Sequence, residues 1–195
     1  MKKLFTNDKF FSAMVIFAVL GNLIFFITAY IRLGGTSFVT RLPMLISALC
    51  VLFIYSSYKK HSKNVTKGLM GAMLMGQLLF AISSLSAMSV PGTTVVVPVY
   101  VVLSAALFIN HFIINSDHHS SPGMIRMNQV IVCLLTLDAV VWDVLWLIPC
   151  HSALSIVCDV ACFFGLIGIS ASVVCVESRL DAYRIEREAN GYKAE

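Results

Sequence analysis

Six apolar runs follow one another along the chain, at approximately 10–31, 42–58, 68–89, 94–115, 127–148 and 153–176. Each is close to the ~20 residues that an α-helix needs to cross a hydrocarbon core of about 30 Å. The pieces between them are short and rich in turn formers: Gly34 and Gly35, Pro91 and Gly92, Pro122 and Gly123, and Pro149 just before Ser152. None is long enough to hold a soluble domain. The pattern predicts an all-α integral membrane protein, a compact bundle of six transmembrane helices forming a single domain over 1–195, with a short charged cytoplasmic tail at 177–195. The first run is too long for the apolar region of a secretory signal, and no A-x-A cleavage pattern follows it. It is expected to be retained as a membrane helix.

The basic residues set the predicted orientation. Lys2, Lys3, Lys9, Lys59, Lys60, Lys63, Lys67, Arg126, Arg179, Arg184, Arg187 and Lys193 all fall on one side of the alternating runs, leaving Arg32 and Arg41 on the other. A bias of this kind over short loops predicts that both termini face the cytoplasm of a cell membrane. With that orientation the Asn64-Val65-Thr66 sequon is cytoplasmic and carries no glycan. Composition agrees with the bilayer reading: 58% of residues are hydrophobic, 12% are charged and the mean hydropathy is +0.87, against about 25% charged in soluble domains. The formal charge of +4 sits at the ends of apolar runs without interleaved aromatics, which excludes a nucleic-acid-binding surface.

Polar side chains inside the runs mark the candidate chemistry. In the fourth run Tyr100, Ser104, His111 and Asn115 lie within about 60° of one another at 100° per residue, a polar stripe along one helix face. Its plainer meaning is an interhelical hydrogen-bond seam. The fifth run places Asn128, Gln129, Cys133, Thr136, Asp143 and Trp146 on one broad face, with Asp138 about 140° away from Asp143. In the sixth run Ala161, Gly165, Gly168 and Ser172 form a stripe of small residues, and Asp159 points about 160° away from it. The third run has a similar close-packing signal in Ala72-x-x-x-Gly76. Such stripes let helices approach closely, and they are also the faces through which a membrane-protein partner would dock.

The three aspartates are the main functional clue. A carboxylate at a helix centre costs roughly 2.5 to 3.5 kcal/mol on insertion scales, and neither of the last two runs contains a lysine or arginine. Helix rise places Asp143 and Asp159 in the outer half of the membrane and Asp138 deeper. The expected site is an outward-facing acidic cavity that binds a small cationic or polar solute for uptake. Asp143 and Asp159 would anchor it, Asp138 would be a deeper acid or proton carrier, and Tyr100, Ser104, Trp142 and Trp146 would form its walls; His111 lies farther along the same stripe, toward the cytoplasm. The plainer role of the two tryptophans is anchoring at the interface.

Other classes find less support in the residues. The alternative is a sensor, immunity protein or assembly factor that docks another membrane protein through the small-residue stripes. A third reading, an intramembrane enzyme, would depend on one of the aspartates, or on His111 with Cys133 as its neighbour. The Gly-x-Gly-Asp context of intramembrane aspartyl proteases is missing, as are a phosphate-binding loop, a dinucleotide fingerprint and a nucleophile elbow. No metal site or cofactor is expected: Cys158-x-x-x-Cys162 stands alone, and His118 and His119 belong to a loop on the opposite side from His151. Cys150 and Cys158 would be placed to pair if both faced an oxidising exterior. In size and topology six spans with both termini inside also resemble the small substrate-binding subunits of energy-coupling-factor vitamin transporters, a likeness of architecture that implies solute capture.

Overall fold

The computed structural model describes residues 2–33, 38–57, 63–85, 92–116, 122–148 and 152–189. These residues are almost entirely helical, and no strand occurs among them. The helices are α1 (Lys2–Phe5), α2 (Asp8–Ile16), α3 (Asn22–Leu33), α4 (Phe38–Ser57), α5 (Lys63–Ser84), α6 (Thr93–Ser116), α7 (Pro122–Leu147) and α8 (Ala153–Ala189), with a π-helical turn over Phe17–Gly21 joining α2 to α3. Asn7 starts the first span: its Oδ1 accepts from the backbone N–H groups of Lys9, at 2.9 Å, and Phe10, at 3.3 Å, satisfying donors that a helix start leaves open. Gly92, at φ +88°, turns the chain into α6, a conformation that a residue without a side chain adopts freely.

Among the described residues, five helical stretches are long and apolar enough to cross a membrane: Asp8–Arg32, Lys67–Ser84, Thr93–Ile113, Gly123–Leu147 and Ala153–Arg179. The predicted second span, 42–58, corresponds to α4, whose apolar part is the shorter Leu42–Tyr55. At about 1.5 Å per residue that part covers only about two thirds of a 30 Å core. The multi-pass helical membrane character therefore stands on five spans. Outward-facing Leu20, Ile27, Leu49, Leu79, Val102 and Leu137 are all exposed, forming the apolar exterior that lipid solvates.

With α2, the π-turn and α3 forming one continuous helical stretch, the successive stretches run antiparallel, as their cross-contacts show. Ser12 and Tyr55 hydroxyls meet at 2.9 Å, Ser47 Oγ donates to the Met73 carbonyl at 3.2 Å, and Gln129 Nε2 donates to Ser178 Oγ at 3.0 Å. The end that holds Lys2 and Arg179 is called proximal below, and the end that holds Arg32 and Asp159 distal. Inside α4, Pro43 cannot donate to the turn before it; its own carbonyl accepts from Ser47 Oγ at 2.8 Å.

The last helix occupies the middle of the bundle. Every residue from Gly168 to Ser178 is buried, the all-round burial expected of a helix enclosed by others. Its small-residue stripe is what lets the first span approach. A Cβ built on Gly168 would fall on the Ala18 backbone, and one on Gly165 would lie 2.7 Å from the Asn22 amide nitrogen. Gly21 meets the same crossing, where a Cβ would lie 2.6 Å from the Gly165 nitrogen. Gly165 and Gly168 therefore face the chain's own first helix. Gly76 is likewise closed in by Pro43 and Ser47, whereas Ala72 lies on the exposed side of α5.

At the proximal end Arg179 fastens α8 to the start of the chain. Its guanidinium donates to Asp8 Oδ1 at 2.6 Å and to the Thr6 carbonyl at 3.2 Å, and lies 4.8 Å from the centre of the Phe11 ring. Asp8 is mostly exposed, so the ion pair itself is worth at most about 1 kcal/mol and the cation–π contact adds a similar amount. Arg179→Ala is expected to lower stability by about 1 to 2 kcal/mol in a denaturation series, and Arg179→Lys to recover only part of it because lysine lacks the planar fork.

Candidate functional site

Three groups of polar side chains lie one above another between α5, α6, α7 and α8. Tyr100 and His111, both on the polar stripe of α6, are separated by about 16 Å of helix rise, so this part of the stripe spans roughly half of a hydrocarbon core. Tyr100, Ser104 and His111 are all buried. The stripe therefore faces the interior rather than lipid.

The distal group holds Asp143 and Asp159. Asp143 lies within electrostatic reach of Asp159, so the turns of α7 and α8 that face one another bring these two acids together. Asp159 also has a cation that its own helix does not supply: Arg32 Nη1, from the last turn of α3, lies 3.9 Å from Asp159 Oδ1. This corrects the expectation of unneutralised acids. The antiparallel packing of the first and last helices carries a residue from the far end of the first run to the start of the last, a juxtaposition invisible within either run. Trp146 is half-buried one turn beyond Asp143.

The middle group centres on Asp138. It shares a face of α7 with Trp142, one turn later, and Trp142 packs edge-on against Tyr100 with ring centres 5.3 Å apart. Asp138 is also within electrostatic reach of the Tyr100 hydroxyl. That hydroxyl accepts from Gln77 Nε2 at 2.7 Å, and the same amide bonds Ser170 Oγ at 2.7 Å, tying α5, α6 and α8 together. Asp138 Oδ2, Ser104 Oγ and Ser172 Oγ are buried without a hydrogen-bond partner. Buried polar atoms are paired in the great majority of cases, so a carboxylate oxygen left over in the interior calls for an explanation. The two predicted anchors and the deeper acid thus separate into two groups, with Tyr100 and Trp142 belonging to the deeper one.

The proximal group surrounds His111, which is 1% exposed. Its Nδ1 lies 2.7 Å from Glu177 Oε1 and its Nε2 lies 3.2 Å from the Lys67 carbonyl. The Lys67 carbonyl only accepts, so Nε2 is the donor there, and a hydrogen lies between Nδ1 and Glu177 Oε1. Asn128 Nδ2 donates to Glu177 Oε2 at 2.8 Å, Asn110 Nδ2 donates to Asn128 Oδ1, and Asn110 also reaches the Met124 carbonyl at 3.2 Å. Glu177 is 5% exposed; it belongs to the bundle interior, although its place in the sequence is where the apolar run gives way to the charged tail.

The pairing of His111 with Cys133 is not formed: Cys133 is exposed, while His111 is turned toward Glu177. The buried face of α7 runs through Asn128, Val132, Leu135 and Ala139, which rotates Cys133 outward. Among the described residues no three His, Cys, Asp or Glu side chains come together to hold a metal ion. Cys150, His118, His119 and His151 lie outside the described residues, and with them the pairing considered for Cys150 and Cys158.

Sequence reasoning missed Glu177, Asn110 and Gln77 as interior partners. A usable signal existed for the first: Glu177 follows an unbroken apolar run with no solvent-facing residue before it, and Asn128 and His111 were already placed on inward faces. No protein-family profile, curated protein sequence or solved structure matches this chain, so the likeness in size and topology to vitamin-transporter subunits carries no argument about its chemistry.

Proposed function

We propose that the chain is a six-span bundle of the cell membrane, with α4 as the second span and both termini cytoplasmic, that binds a small cationic or polar solute from the outside for uptake. The observation that carries this reading is Asp138. A carboxylate with a buried, partnerless oxygen, on the same helix face as Trp142 and against Tyr100, offers one charge and two aromatic rings in the arrangement that suits an ammonium or a similar small cation. Asp143 and Asp159 lie nearer the distal end and raise the local concentration of cations there. Arg32 offsets part of that charge, so Asp143 is the stronger attractor of the two.

The positions of the remaining basic residues support the orientation, since those on the proximal side outnumber Arg32 and Arg41 on the distal side. The chain carries no phosphate-binding loop, and uptake against a gradient requires a coupled ion or an energised partner.

Thermal stabilisation of the purified protein by a panel of small amines and quaternary ammonium ions tests the proposal, because a ligand that binds only the folded state raises its stability in proportion to affinity. Asp138→Asn is expected to weaken binding of the best cation about 30-fold or more, the loss of about 2 kcal/mol typical for removing one partner of a buried charge contact. Asp143→Asn with Asp159→Asn should weaken it several-fold and remove most of its salt dependence. Unchanged affinity in both proteins would end this reading.

A further inference from the structure

A second candidate binding site lies on the lipid-facing side of the bundle, at the end opposite the acids. A groove of about 330 Å³ runs between α5 and α6, lined by Gly68, Gly71, Ala72, Met75, Phe108 and Phe112, with Lys67 at its proximal mouth and the edge of His111 at its floor. Its volume falls at the lower end of the range for pockets that hold small molecules, about 300 to 1,000 Å³. Two glycines create the space. A Cβ on Gly68 would touch nothing within 4 Å, and one on Gly71 would meet the Phe112 ring at 3.6 Å.

The groove's depth and charge select its occupant. From Lys67 to Met75 the helix rises about 12 Å, close to the thickness of one leaflet of a 30 Å core. The walls are apolar throughout that depth, and the Lys67 ammonium sits where the span Lys67–Ser84 begins, the level at which lysine reaches the headgroups. No ion pair joins Lys67 to a described carboxylate. Lys9 and Arg126, both exposed, lie at the same end of the bundle.

We propose that this groove is a binding site for an anionic phospholipid of the proximal leaflet, with an acyl chain along Gly68, Gly71 and Ala72 and the phosphate at Lys67. Basic residues beside membrane spans attract anionic headgroups, each contributing about a fivefold preference near the surface. The bound chain would lie against Phe112 and the His111 edge, next to the buried group that joins α6 to α8. The site is independent of the acidic end, and neither proposal requires the other.

The test compares phosphatidylglycerol with phosphatidylcholine of identical acyl chains, added to the full-length protein in a mild nonionic detergent. Thermal unfolding reports stabilisation, and native mass spectrometry reports the lipid retained. Phosphatidylglycerol is expected to stabilise the protein more than phosphatidylcholine. Lys67→Gln should reduce that preference about fivefold, and Gly68→Leu, which fills the groove at a position with room for a side chain, should abolish retention of both lipids. Equal responses to the two lipids in the parent protein would overturn the proposal. So would a preference unchanged in Lys67→Gln together with retention unchanged in Gly68→Leu, as would a co-purifying membrane protein whose presence excludes phosphatidylglycerol.

Discussion

A protein with leucine in place of Gly168 is expected to fail to close its bundle. Even the first carbon of the new side chain would lie 2.7 Å from Ala18 Cα and 2.7 Å from the Met14 carbonyl oxygen. Both obstacles are backbone, held in the first span by its own helical hydrogen bonds, and neither has a rotamer into which to retreat. Ordinary overpacking costs about 1 to 3 kcal/mol; forcing two helix axes apart belongs in the tail of about 4 to 5 kcal/mol or more. Gly165→Ala, where the obstacle is the Asn22 side chain, should cost much less, and Gly68→Leu on the open side of α5 should be close to neutral. Size-exclusion behaviour and a denaturation midpoint check the series. A Gly168→Leu protein as stable as the parent would show that α8 does not pack against the first span in this way.

The second large effect is expected at Glu177. Glu177→Leu leaves His111 Nδ1 and Asn128 Nδ2 facing a hydrocarbon side chain, and removing one partner of a buried charged contact typically costs about 3 to 5 kcal/mol. The double variant His111→Leu, Glu177→Leu should be more stable than Glu177→Leu alone, because a buried pair exchanged whole for apolar groups loses both its attraction and its desolvation penalty. Glu177→Gln, which keeps the size and an acceptor oxygen, should fall between the parent and Glu177→Leu. The informative quantity is the coupling between positions 111 and 177 in a double-mutant cycle. Additive losses at the two positions would remove the pair as a unit of stability.

How legible all this was in the sequence depends on whether a feature belongs to one helix or to two. Helix periodicity is local, so the inward stripe of Tyr100, Ser104 and His111 and the small-residue face of the last run could be read directly, and the structure buries both. The partner of each face is a tertiary fact. Nothing in the last run indicates that its stripe meets Ala18 and Met14, because the chain between them contributes no periodicity common to both. Arg32 and Asp159 are likewise separated by most of the sequence and brought together by antiparallel packing.

Span boundaries failed in a different way. Glu177 was assigned to the tail because a charged side chain ends an apolar run, yet Asn128 and His111 satisfy that charge within the bundle. A hydropathy pattern carries no information about such pairing. The face of α7 was misjudged because its polar residues were given equal weight with its apolar ones; Val132, Leu135 and Ala139 decide the rotation, and Cys133 is left outside.

The central place of α8 also has a temporal side. A ribosome makes this helix after α1 to α7, and a membrane insertion machine delivers it to the bilayer after those neighbours. Until then Gln77 on α5, His111 on α6 and Asn128 and Gln129 on α7 lack the side chains of Ser170, Glu177 and Ser178 that they contact in the finished bundle. Until α8 arrives, the earlier helices shelter those polar groups against one another or against water at the membrane surface, and the bundle commits to its packing only when α8 joins it.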